Sequence, residues 1–258
     1  MVRTQCKIST LALLLLIPGL AAAVACGPSA DDTPASARPA ASPAASVTAR
    51  PVPPAPAVER KASGPLVVFL GDSLTAGLGL AEEEAYPARV AARLAARGTP
   101  VRAINAGVSG DTSAGGLARL DWLLGQHPDI LVLGLGANDG LRGLPLEATE
   151  KNLREIIRRS RAAGARVLLL GMKIPPNYGP DYAGGFEAMY PRIAKDLNVP
   201  LVPFLLEGVG GDASLNQADG IHPTAQGQEI VADTVTPYVE KMLTASEGLK
   251  ATKSIQGR

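Results

Sequence analysis

Five short apolar runs, at residues 66–70, 101–104, 130–136, 166–171 and 201–204, alternate with longer stretches of helical pattern. The runs are rich in Val, Leu and Ile with few polar interruptions, as in strands buried on both faces. Helices are predicted over residues 85–96, 113–126, 146–163, 186–197 and 225–242, with Thr112 and Thr224 placed to cap two of them. Five strands alternating with helices build one parallel sheet covered on both sides, an α/β three-layer sandwich. Residues 64–246 are expected to form this domain, a length sufficient for a full core.

The N-terminal segment is of another kind. Arg3 and Lys7 precede an apolar stretch at residues 11–17, then Pro18-Gly19 and small residues. This is the pattern of a secretory signal over residues 1–25, too short and too broken for a membrane span. Both cysteines lie at this end, Cys6 inside the signal and Cys26 just after it. Ala23-Val24-Ala25-Cys26 resembles a bacterial lipobox, whose cysteine is lipidated and becomes the new N-terminus, although Ala23 stands where Leu is usual. The alternative is an ordinary A-x-A cleavage site. Residues 26–63 are then the lipidation site and a tether of Ala, Pro, Ser and Thr, too poor in large apolar residues to offset the entropy of ordering. Residues 247–258 are expected to be a flexible polar tail. The expected address is an exported lipoprotein anchored through Cys26 and facing the periplasm or cell exterior. A soluble periplasmic or secreted protein is the alternative.

Composition narrows the chemistry. A net charge of +1 and 3% aromatic residues exclude an electrostatic or stacking case for nucleic acid. The expected mature domain has no thiol for catalysis or metal binding, and no metal or cofactor is expected. The first strand ends in Gly71-Asp72-Ser73, where the chain hands over to a helix. Ligands of open α/β sheets bind past the carboxyl ends of the strands, so Ser73 is a candidate nucleophile.

The chain has two histidines. His127 precedes the third strand, at the wrong end of the sheet, and reads as a helix-end or surface residue. His222 follows the fifth strand in Asp219-Gly220-Ile221-His222-Pro223, at the same end as Ser73. Asp219 can accept the imidazole Nδ1–H and leave Nε2 for the serine hydroxyl. Two further loops share this edge, Asn105-Ala106-Gly107-Val108-Ser109-Gly110-Asp111-Thr112 and Gly134-Leu135-Gly136-Ala137-Asn138-Asp139-Gly140. Glycine N–H groups in the first and the Asn138 amide in the second are candidate donors to an oxyanion. Gly107 and Gly110 are equivalent candidates by residue type and position. Ile174-Pro175-Pro176 after the fourth strand suits an apolar wall, and residues 138–144 read as a glycine-bearing loop able to gate a cleft.

Gly71-Asp72-Ser73, the Gly110 block, Asn138-Asp139 and Asp219-Gly220-Ile221-His222-Pro223, in this order, resemble the SGNH or GDSL-type hydrolases. Val108-Ser109-Gly110-Asp111-Thr112-Ser113 and Pro176-Asn177-Tyr178-Gly179 are similar to their bacterial branch of thioesterase I, lysophospholipase and arylesterase enzymes. The resemblance implies a flavodoxin-like five-stranded sheet of order 2-1-3-4-5. It implies Ser73 as nucleophile and oxyanion donor, Gly110 and Asn138 as further donors, His222 as base and Asp219 as its partner. Ile174 and Pro175 are implied to contact the acyl chain. Asp72, Asp111 and Asp139 are expected to support or cap the site. Ala137 departs from the Gly frequent in relatives. The implied function is a serine esterase acting on a small-molecule aryl or acyl ester, with thioesters and lysophospholipids within range, working as a monomer. A carbohydrate O-deacetylase with the same triad and a non-catalytic binding lipoprotein are the alternatives weighed.

Overall fold

The computed structural model describes residues 64–256, with side chains through residue 245. The expected signal segment, Cys26 and the tether lie outside the described residues. The sheet consists of β1 (Leu66–Gly71), β2 (Arg102–Gly107), β3 (Ile130–Gly134), β4 (Arg166–Leu170) and β5 (Leu201–Val202). All pairings are parallel and the order is β2-β1-β3-β4-β5. Val67, Val68, Phe69 and Leu70 of β1 and Ile130, Leu131, Val132 and Leu133 of β3 have no exposed surface. Each such side chain contributes about 1.5–3 kcal/mol on burial.

Helices α1 (Ser73–Ala76), α2 (Tyr86–Ala96), α3 (Ser113–Ala118), α4 (Leu120–Leu124) and α5 (Ala137–Leu141) fall between the first strands. They are followed by α6 (Leu146–Ala162), α7 (Pro180–Leu197) and α8 (Ala225–Gln256). α2 packs on α8 to form one layer, while α3, α6 and α7 form the other.

Several boundaries differ from the sequence reading, each for a local reason. The helix expected over residues 113–126 is broken at Arg119, whose side chain is drawn to the Asp111 carboxylate and the Gly71 carbonyl. α7 begins at Pro180, a residue suited to a first helical position, and runs through Gly184 and Gly185. A Cβ on Gly185 would lie 2.8 Å from Leu146 Cδ1, so that glycine permits close approach of α6. β5 is limited to two residues because the Gly171 carbonyl takes its bond from the Leu205 N–H, one residue past the position that would continue the ladder. β2 continues through Asn105-Ala106-Gly107, read above as loop, because each pairs with a residue of β1. α8 continues past Met242 through a segment with no proline to stop it.

The buried side chain of Gln228 on α8 links this scaffold to the first turn after β1. Its Oε1 accepts the Tyr86 N–H at 2.8 Å and its Nε2 donates to the Leu74 carbonyl at 3.1 Å. Replacing Gln228 by Leu strands two buried backbone groups, at about 1–3 kcal/mol each. Denaturant unfolding of Gln228→Leu is expected to show a loss of roughly 2–6 kcal/mol. A midpoint matching the unsubstituted protein would contradict the linkage.

Candidate active site

The site begins with three glycines abreast. Gly71 of β1 is in register with Gly107 of β2 on one side and Gly134 of β3 on the other. A Cβ on Gly71 would lie 1.9 Å from Thr75 Oγ1, and one on Gly107 would lie 2.2 Å from the Ala76 backbone nitrogen. Without side chains at these positions, the turn into α1 folds down onto the strand ends. Asp72 caps that helix by accepting the Leu74 N–H at 3.0 Å, and Gly77 closes it in the left-handed conformation at φ 73°. Thr75 is wholly buried and shares a 2.9 Å hydrogen bond with the Tyr86 hydroxyl. Ser73 is thereby held at the carboxyl edge of the sheet.

His222 reaches the same edge from a loop stitched in place by backbone and side-chain bonds. The Gln217 N–H donates to the His222 carbonyl at 2.7 Å. Gln217 Nε2 donates to the Pro223 carbonyl at 3.0 Å and to the Leu78 carbonyl at 2.7 Å, joining this loop to the chain just beyond α1. Thr224 caps α8 by accepting the Gly227 N–H. His222 Nε2 lies 2.8 Å from Ser73 Oγ, across 149 residues of sequence. Its Nδ1 lies 2.6 Å from Asp219 Oδ2. The other oxygen of Asp219 accepts the N–H groups of Ile221 and His222, each at 3.0 Å. These bonds hold the Asp219 carboxyl down to about 2, the Ile221 N–H contributing most and the imidazole next. Asp219 is therefore ionised throughout the neutral range.

The remaining expected residues line a cleft of about 600 Å³ with Ser73 and His222: Gly110, Asn138, Ile174 and Pro175 are all in its walls. The structure separates the two glycines left open above. Gly107 ends β2 under α1, whereas Gly110 faces the cleft with φ +78°, a conformation that suits glycine. Asn138 Nδ2 donates to the Asp111 carbonyl at 3.0 Å and, at 3.4 Å, to Asp72 Oδ2. His127 is exposed at the end of α4, remote from this edge.

Other parts of the cleft were not anticipated. Leu78, Met172, Phe204, Leu206 and Ile221 extend its apolar wall. Leu78 and Ile221 are exposed, and the signal available in the sequence was their apolar character close to Ser73 and next to His222. Residues 138–144, read as a loop, form α5 and a left-handed turn at Gly143. The Tyr178 hydroxyl donates to the Leu141 carbonyl at 2.8 Å and the Tyr182 hydroxyl to the Leu144 carbonyl at 2.6 Å, fastening that segment.

A parallel α/β sandwich whose first strand delivers a serine to a histidine, itself held by an aspartate, defines a serine hydrolase. The model of the GDSL-like lipase/acylhydrolase family matches residues 69–230. Esterase TesA of Pseudomonas aeruginosa is 44% identical over 185 residues, covering 71% of this chain and 92% of the relative. Thioesterase 1/protease 1/lysophospholipase L1 of Escherichia coli K12 is 40% identical over 185 residues, covering 71% and 88%. The crystal structure of the psychrotrophic esterase EstA from Pseudoalteromonas sp., inhibited by monoethylphosphonate, superposes with a TM-score of 0.66 at 37% identity, covering 69% of this chain and 98% of that one. The chain belongs to the GDSL-like lipase/acylhydrolase family and is a carboxylic ester hydrolase.

Asp72 is the second unusual carboxyl of the site. Burial raises it from 3.8 to about 6, against the lowering effects of the Leu74 N–H and of the nearby His222. The folded protein thus holds this proton more tightly than the unfolded chain, so the associated stability is full below pH 3.8 and is lost as pH rises through about 6. Carboxyl-carbon NMR is expected to show one aspartate titrating near 6 and missing from Asp72→Asn. All aspartates titrating below 5 would contradict this.

Proposed function

We propose that Ser73 is the nucleophile of a serine esterase, with His222 as base and Asp219 holding its tautomer. The observation that carries this is the unbroken chain of hydrogen bonds from Ser73 Oγ through both imidazole nitrogens to Asp219. Ser73 Oγ attacks the ester carbonyl carbon while its proton passes to His222 Nε2. The carbonyl electron pair moves to oxygen, where the N–H groups of Ser73 and Gly110 and the Asn138 amide receive it. The 3.4 Å contact of Asn138 with Asp72 is its weaker one, and the easier to exchange for an oxyanion. Collapse of the tetrahedral species expels the alkoxide or thiolate, which takes the proton from His222. Water then attacks the acyl-enzyme with His222 again as base.

The substrate class we infer is aryl and acyl esters, with thioesters and lysophospholipids as further candidates. Support comes from the apolar wall around Ile174 and Pro175 and from the named activities of the relatives. Phe204 is the one phenyl or indole side chain lining the cleft among the described residues, which favours an acyl chain over a stacked sugar ring. We further propose export, with anchoring through a lipidated Cys26, residues 26–63 as tether, and action as a monomer. Among the described residues no helix is long and apolar enough to cross a membrane.

Ser73→Ala is expected to abolish hydrolysis of p-nitrophenyl butyrate with the fold intact, and Asn138→Ala to slow it by about 10²–10³. Because a general base must be unprotonated to act and Asp219 stays ionised to about 2, the rate is expected to fall in acid with no contribution from Asp219. A flat rate down to pH 4, or turnover by Ser73→Ala, would sink the assignment. A series of p-nitrophenyl esters from acetate to palmitate, with a lysophospholipid and an acyl-CoA, identifies the preferred acyl group.

A further inference from the structure

The loop that carries Gly110 and the segment that carries Asn138 are tied together at three points. Arg142 Nη2 donates to the Gly110 carbonyl at 2.8 Å. Asn138 Nδ2 donates to the Asp111 carbonyl at 3.0 Å. The third tie is Asp139, on α5 immediately after Asn138. Its Oδ2 accepts the Ser113 N–H at 2.8 Å, and its Oδ1 accepts the Ser113 hydroxyl at 2.5 Å and the Thr149 hydroxyl at 3.2 Å. Asn152 Nδ2 in turn donates to Ser113 Oγ at 3.0 Å.

Only the third tie lies in the interior. Asp139 is 3% exposed, Ser113 0% and Thr149 1%. No Lys, Arg or His forms an ion pair with Asp139 among the described residues. A buried carboxylate without a cation is costly unless hydrogen-bond donors surround it. Here the donors come from α3 and α6, so the cost is met only while α5 and α3 keep their relative position. Thr112 already caps α3 through the Gly115 N–H, so Asp139 is not required for that helix to start.

We infer that Asp139 is a positioning residue, a buried carboxylate that fixes the spacing between the Gly110 N–H and the Asn138 amide across the cleft. The inference rests on the oxyanion roles proposed above for those two residues. Asparagine is not a neutral replacement: it would turn an NH2 group toward either the Ser113 N–H or the two hydroxyls. The strain would fall on the α3–α5 spacing, outside substrate contact.

The test is steady-state hydrolysis of p-nitrophenyl butyrate by the exported protein carrying Asp139→Asn, Asn138→Ala or both. Asp139→Asn is expected to lower kcat by about ten- to a hundred-fold with KM changed less than about two-fold, the signature of misplaced donors rather than lost substrate binding. In the Asn138→Ala background the same change is expected to cost less than about three-fold, because one donor it positions is already gone. Full multiplication of the two effects, or an unaltered kcat in Asp139→Asn while Asn138→Ala is slow, would overturn the inference alone. Normal turnover by Asn138→Ala would instead remove the oxyanion reading, and the inference with it. Should Asp139→Asn not fold, Ser113→Ala deletes one donor and keeps the carboxylate. It is expected to lower kcat about three- to ten-fold at constant KM, and an unchanged kcat there also refutes the positioning role.

Discussion

Gly71, Gly107 and Gly134 stand abreast at the carboxyl ends of three neighbouring strands, and the turn from Asp72 to Ala76 rests on them. A side chain at Gly71 would collide with Thr75, and one at Gly107 with the backbone of α1. The close approach does more than seat a helix. It lets Thr75 become fully buried, where it meets the Tyr86 hydroxyl, and it brings Leu74 within reach of Gln228 on α8. Ser73 is thus attached to the interior of the layer formed by α2 and α8 while its hydroxyl stays at the mouth of the cleft.

The rest of the site is delivered to that serine by parts of the chain far apart in sequence. The order 2-1-3-4-5 places β1 between β2 and β3, so the loops after those two strands flank Ser73. The last loop comes from beyond β5 and is drawn back by Gln217, which bonds to the chain on both sides of the cleft mouth. Charge is distributed with the same economy. Asp219 is exposed and strongly ionised through hydrogen bonds to its own loop, whereas Asp72 is buried and holds its proton to higher pH. Two aspartates near one imidazole therefore shift in opposite directions because burial outweighs the hydrogen bonds of Asp72, whereas Asp219 is solvent-exposed and its hydrogen bonds prevail.

Much of this was legible from local pattern. Val67 to Leu70 and Ile130 to Leu133 read as doubly buried strands because a continuous apolar run has few other places to go. With one other histidine, at the opposite sheet end, His222 followed by elimination, and Asp219 by its distance of three residues. What escaped was set by neighbours. β5 is two residues shorter than its apolar run because the Gly171 carbonyl is taken by the Leu205 N–H, out of ladder register, which no apolar pattern shows. The break at Arg119 depends on an aspartate eight residues earlier and on a carbonyl of β1, neither visible in helical periodicity.

The sequence by itself determined the alternation of strands and helices, the serine at the end of the first strand, and the histidine and aspartate of the last loop. These depend on spacing along the chain, which is written in the order of residues. The family resemblance already pointed to Gly110, but only the tertiary structure shows what separates it from Gly107, since both are glycines three residues apart. One is needed because α1 lies over it, the other adopts a left-handed backbone at the cleft. It also decided that Phe204 and Leu206 share a wall with Ile174, and that Asp139 is buried among donors from α3 and α6. Such facts concern which surfaces meet when distant segments pack, and no local pattern of residues encodes them.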